Sequence, residues 1–304
     1  MPRRSSNPGE RKSTKTGDAL PSVIRVASVR GLMLSFLAVV LVSCVGVFHC
    51  ATYLLWHYER CRSGVCGSGV QGADVGPWIA EGLAMAVVAV TWPLGLVRWP
   101  QARPGSGRPV VLLHGWGLNR ASMALLAARL RREGRSVHSE AIPWWSSDFA
   151  AAATAIAARL REVAEASRSA TVDVVAYGAA GVLVRLAAHA HGAGEILGNV
   201  VTLASPHRGS ALALLGVPAS LADLRPGSSL LDQLVRSEKL PTRAHVAAIA
   251  SPFDAIVFPF DLAYCPAAFN VTVEGVGHFS MLYSERIYTL IAENLDLPPR
   301  AGAS

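Results

Sequence analysis

Four short stretches, each at the end of a strand-like run, hold the residue types from which acid–base or nucleophilic chemistry is built. "VVLLHG" ends in His114-Gly115. "VDVVAYGAAG" passes from an apolar run through a sharp turn into a helical run, with Gly178 at its centre. "IASPFDAIV" places Asp254 just beyond a buried strand, and "VEGVGHFSML" places His278 in a glycine-flanked loop. An aspartate that orients a histidine and stabilises its charged form turns that histidine into a general base. Taken singly, Asp254 is equally a turn residue and His278 equally a loop cap. The turn supplies no nucleophile in any frame, because no Ser, Cys, Thr or Asp lies between Tyr177 and Gly181. Asp173 stands back in the preceding strand and cannot reach the apex.

The elements that must position these residues are legible as an alternation. Strand-like runs are "VVLLHG", "SVHSEAI", "TVDVVAY", "NVVTLAS", "AHVAAIAS" and "FNVTVEG". Between and after them lie helical patterns: "NRASMALLAARLRREG" with Asn at its start, "SDFAAAATAIAARLREVAEAS" opened by Ser and Asp, "VLVRLAAHAH", and "SERIYTLIAENL". Continuous apolar strands alternating with helices predict an α/β domain with a mainly parallel sheet covered on both faces, over 109–297.

With these motifs in this order, the chain resembles the α/β-hydrolase superfamily, and within it the bacterial lipase and esterase group related to triacylglycerol lipases. The resemblance covers nearly all of residues 108–296. "VTLASPHRGSALA", "LADLRPGSSLLDQL" and "GVGHFSMLYSERIY" look like the segment after the nucleophile helix, the short excursion that follows it, and the histidine loop with its final helix. The chain order nucleophile, acid, histidine also matches. The resemblance implies that Gly178 stands at the nucleophile position, that Asp254 orients His278, and that His278 is the general base. It implies an oxyanion hole from the backbone amides of Trp116 and Ala179. Ala176 and Ala180 supply the small residues such a turn demands, and Gly181 continues them. The departure is at the centre: the family has Gly-His-Ser-x-Gly-Gly, and this chain has Ala176-Tyr177-Gly178-Ala179-Ala180-Gly181.

Three readings follow. One is a pseudoenzyme whose pocket binds an acyl or ester ligand or a protein partner. The second is an active carboxylic ester hydrolase using another nucleophile or water activated by His278. The third is a scaffold of a membrane complex. Ser205, Ser210 and Ser280 lie near the motifs, but none sits on a strand-to-helix turn. His114 and His207 read as structural, and His189 and His191 as surface residues of a helix. Nothing implies a metal or an organic cofactor.

The rest of the chain points to a membrane. Hydrophobic residues make up 51% and charged residues 16%, more apolar than a soluble domain of this size. The net charge of +7 is concentrated at the N-terminus without a basic-aromatic motif, which argues for anionic lipid and against nucleic acid. Residues 1–30 read as a disordered basic arm and 31–98 as an anchor with spans at about 31–57 and 78–98. A Pro/Gly linker occupies 99–108 and a tail 298–304. Arg3, Arg4, Arg11, Lys12, Lys15, Arg25 and Arg30 precede the first span, and Arg98, Arg103 and Arg108 follow the second. Both ends, including the C-terminal domain, are therefore expected in the cytoplasm, with the intervening loop outside. If the second run does not cross, the domain changes sides. A Cys61–Cys66 disulfide is possible where that loop meets an oxidising compartment. Cys44 and Cys50 lie in the first apolar run, and Cys265 stands alone.

Overall fold

Six parallel strands run in the order β2-β1-β3-β4-β5-β6, the central ones built from Val, Leu, Ala and Ile runs buried on both faces and the edge strands β2 and β6 partly exposed. The computed structural model describes residues 22–62, 75–97, 105–142, 148–215, 219–237, 244–266 and 268–298. The strands are β1 (Ser106–Leu113), β2 (Arg135–Glu140), β3 (Val172–Tyr177), β4 (Leu197–Leu203), β5 (Val246–Ala250) and β6 (Phe269–Thr272). The helices are α1 (Ser22–Arg62), α2 (Val75–Thr91), α3 (Ala124–Arg132), α4 (Phe149–Ala166), α5 (Ala179–Ala190), α6 (Ser229–Arg236) and α7 (Glu285–Asp296).

The period-two alternation of a strand divides its side chains between two cores. Val111, Leu113, Val174 and Ala176 face α4 and α5. Val110, Leu112, Val175 and Tyr177 face α3 and α7. The helix starts follow their capping residues. Asp148 accepts from the Ala151 amide at 2.8 Å, and the Ser228 and Ser284 hydroxyls accept at the heads of α6 and α7. Asn119 caps a 3₁₀ turn at Arg120–Met123, so the expected helix over 119–134 begins one element later, at Ala124.

The chain divides into two compact units, residues 1–44 and 45–304. The first holds the start of α1, which begins at Ser22, so residues 22–30 of the expected disordered arm are helical. Two helices, Gly31–Arg62 and Val75–Leu96, are long and apolar enough to cross a bilayer. The second belongs to the same compact unit as the sheet. Its Glu81, Ala84, Met85 and Val88 are buried, and Val88 joins the core beneath α3 and α7. Ile79, Leu83, Val87, Val90 and Leu94 form an exposed apolar stripe. The second run thus differs from a lipid-surrounded span: one of its faces is part of the domain core.

Cys61 is disulfide-bonded, and Cys44, Cys50 and Cys265 are free thiols. Cys66, residues 1–21 of the arm, the linker at 99–104 and the tail from 299 lie outside the described residues.

Candidate active site

The four motifs meet at the carboxyl ends of the strands, where ligands bind in parallel α/β sheets. Parallel pairing sets Leu113 beside Ala176 and Tyr177 beside Leu203, so the loops after β1 and β3 leave the sheet side by side. Gly178 turns the chain from β3 into α5 with φ +58° and ψ −132°, a conformation that L side chains adopt only under strain. Its amide donates to the Leu203 carbonyl at 2.9 Å, and its carbonyl accepts from Gly181 at 3.1 Å. A Cβ at Gly178 would stand 3.6 Å from Gly115 Cα and 4.0 Å from His278 Nε2, ordinary contact distances.

Asp254 and His278 are brought together. His278 Nδ1 donates to Asp254 Oδ2 at 2.8 Å, and Asp254 Oδ1 accepts from the amides of Ile256 and Val257, each at 2.8 Å. Asp254 is 1% and His278 6% exposed. The carboxylate has three donors in this dry setting, which fixes the imidazole in one tautomer and leaves Nε2 on the Gly178 side. Tyr177 packs its ring 4.9 Å from that of His278 and donates its hydroxyl to the His278 carbonyl at 3.0 Å. Burial pushes the Tyr177 phenol well above its ordinary range, so it remains a donor.

Trp116 and Ala179 both line the cavity in front of Gly178. The Ala179 amide heads α5, where first-turn N–H groups have no intrahelical acceptor. His114 lies below this loop: Nδ1 donates to the Gly115 carbonyl at 2.9 Å and Nε2 accepts from the Ile142 amide at 3.0 Å. Burial lowers its pKa, in keeping with a neutral structural ring. His207 is likewise fully buried, with Nε2 2.9 Å from the Thr202 hydroxyl and its pKa driven well down by burial. His189 and His191 are half-buried at the end of α5.

The nearby serines are engaged elsewhere. Ser205 donates to Leu203, Ser210 to Ile256, and Ser280 to Gly277, all backbone carbonyls. Asp173 accepts from Arg108 and from the Asn199 amide.

The cavity has a volume of about 600 Å³. Phe48, Leu212, Leu215, Leu224, Ile256 and Val257 make its walls largely apolar, and His278 and Gly178 lie at its polar end. Among the described residues no group of three or more His, Cys, Asp or Glu is placed to hold a metal ion.

Sequence reasoning missed what α2 does here. Glu81 accepts from the amides of Phe279 at 2.7 Å and Ser280 at 2.8 Å, immediately after His278. Trp92 Nε1 donates to the Gly117 carbonyl at 3.3 Å, and Asn119 Nδ2 donates to the Trp92 carbonyl at 2.8 Å. The available signal was Glu81 itself: an ionisable residue inside an apolar run marks a site by default.

In comparison with solved structures, the mature lipase BlEst2 of Bacillus licheniformis superposes with a TM-score of 0.55 at 20% identity, over 66% of this chain and 96% of that one. The fold is the α/β-hydrolase fold. Lipase B of Aspergillus fumigatus gives a TM-score of 0.54 at 16% identity, over 63% of this chain and 53% of the lipase. A structure described with the metagenome-derived lipolytic enzymes LipS and LipT gives 0.50 at 18%, over 64% and 95%. No protein-family model and no curated protein matches the sequence. The α/β-hydrolase fold expected from the motifs is therefore found, at identities that carry the fold alone.

Proposed function

We propose that this chain is a membrane-anchored, lipase/esterase-like protein whose site is built as in a serine hydrolase but carries no nucleophile at Gly178. It binds a lipid-like ligand, or a protein partner, without forming an acyl-enzyme. The observation that carries this reading is the 4.0 Å between His278 Nε2 and the position of a Cβ on Gly178. A serine there would bring its hydroxyl within hydrogen-bond reach of a base already held by Asp254. Glycine keeps the strained turn at lower cost and removes the reacting atom. Loss of a triad serine leaves roughly 10³- to 10⁴-fold acceleration over water from binding and the oxyanion hole. The size and apolar walls of the cavity suit an acyl chain.

The intact Asp254–His278 bond favours one further reading, slow ester hydrolysis by water activated at His278 in the space the hydroxymethyl would fill.

As to membrane placement, α1 provides the anchor. Glu81 and Trp92, near the two ends of the second apolar run, both bond to loops of the domain, so that run lies along the domain instead of leaving it. With a single crossing, the basic N-terminus faces the cytoplasm and the domain lies on the opposite side, together with the Cys61 disulfide. This reverses the side expected from two spans.

Wild type and Gly178→Ser, purified at full length, are to be compared for turnover of a short activated ester and for fluorophosphonate labelling. The expected result is an inert wild type and a serine variant that labels and turns over. Wild-type hydrolysis abolished by His278→Ala would move the assignment to the water mechanism.

A further inference from the structure

We propose that Glu81 is a positioning residue of this site: a carboxylate supplied by α2 that holds the His278 loop with the imidazole directed at the Gly178 turn. The proposal rests on reading Asp254 and His278 as a functional pair. Burying a carboxylate at 4% exposure in a helix otherwise free of charge is costly unless the charge is matched by donors. Glu81 has two, the Phe279 and Ser280 amides at 2.7 and 2.8 Å. Charge-assisted bonds of this length are roughly twice as strong as neutral ones. These amides follow His278 directly and open the 3₁₀ turn Phe279–Leu282, so they set the direction in which the histidine leaves the backbone.

The loop is shaped to receive the carboxylate. A Cβ on Gly277 would lie 2.4 Å from Glu81 Oε2, so only glycine permits this approach. Ser280 Oγ accepts from the Gly277 amide at 2.7 Å and closes the turn around it. Asp254 grips Nδ1, the Tyr177 hydroxyl grips the His278 carbonyl, and Glu81 grips the next two amides. Side chain and backbone of His278 are thus held from three elements. The other end of the same segment, through Trp92, holds the loop that carries Trp116. α2 and the 3₁₀ turn that continues it, Trp92–Leu96, therefore brace both halves of the site.

The test uses the full-length chain in detergent, labelled with ¹⁵N-histidine. The low-field proton on His278 Nδ1 is assigned by its loss in His278→Gln, then followed in wild type, Glu81→Gln, Glu81→Ala and Gly277→Ala. Loss or broadening in Glu81→Ala and Gly277→Ala, with retention in Glu81→Gln, which keeps an acceptor, is the expected result. In the Gly178→Ser background, Glu81→Ala should slow fluorophosphonate labelling by on the order of 100-fold, the scale of a 1 Å misplacement, and Glu81→Gln by less. The resonance is read on the glycine protein, so failure of Gly178→Ser to react counts against the unarmed-site reading alone. An unchanged resonance in folded Glu81→Ala overturns the proposal. So does unfolding of both Glu81 variants, which would make the residue a structural anchor of the whole domain.

Discussion

Two glycines three residues apart do opposite work. Gly178 has φ +58° and room for a Cβ at ordinary contact distance, whereas Gly181 would place a Cβ 2.3 Å from Ser205 Oγ. Gly178→Ala therefore carries only backbone strain, roughly 1–2 kcal/mol. Gly181→Ala forces α5 off the end of β4 and should cost about 3 kcal/mol or more. Urea unfolding distinguishes them, and Ser205→Gly should restore part of the loss in Gly181→Ala while leaving Gly178→Ala unaffected. Equal losses, or no restoration, would refute this division. Glycine at 178 thus relieves the strain of a positive φ, while Gly181 is fixed by packing.

At the scale of elements, α2 is two-faced. Val88 lies in the core shared with α3 and α7, and Leu83 is 63% exposed on the opposite stripe. Val88→Ser should lower the melting temperature of the detergent-solubilised protein, with a loss of roughly 2 kcal/mol from apolar area and an unpartnered hydroxyl. Leu83→Ser should leave melting within the ~0.5 kcal/mol typical of surface changes. A helix surrounded by lipid would show no such difference. Its composition is equally that of a span, because the residues that suit a bilayer also suit a protein core. The sequence alone therefore reads α2 as an anchor.

For the whole molecule, the consequence is the side of the membrane on which the cavity lies. Glu165 is exposed on α4, and Glu165→Cys should react with a membrane-impermeant maleimide in intact cells. A cysteine at Ser5 should react only after lysis. The opposite pattern would place the domain in the cytoplasm and require α2 to cross. Phe48, a cavity wall residue on α1, lies just beyond the residues grouped with the first unit, so the cavity wall begins close in sequence to that unit.

The strand–helix alternation, the sheet's parallel character and the order of Gly178, Asp254 and His278 can be read along the chain. These follow from local periodicity and turn chemistry, which neighbouring residues carry. The packing of the fold is what brings Asp254 to His278 across 24 positions and lets Tyr177 fasten the histidine's carbonyl. It alone brought Glu81, 198 positions away from Phe279, to the loop that holds the histidine. Such contacts depend on which faces of distant elements meet, and a glutamate in an apolar run looks the same whether it meets lipid headgroups or two buried amides.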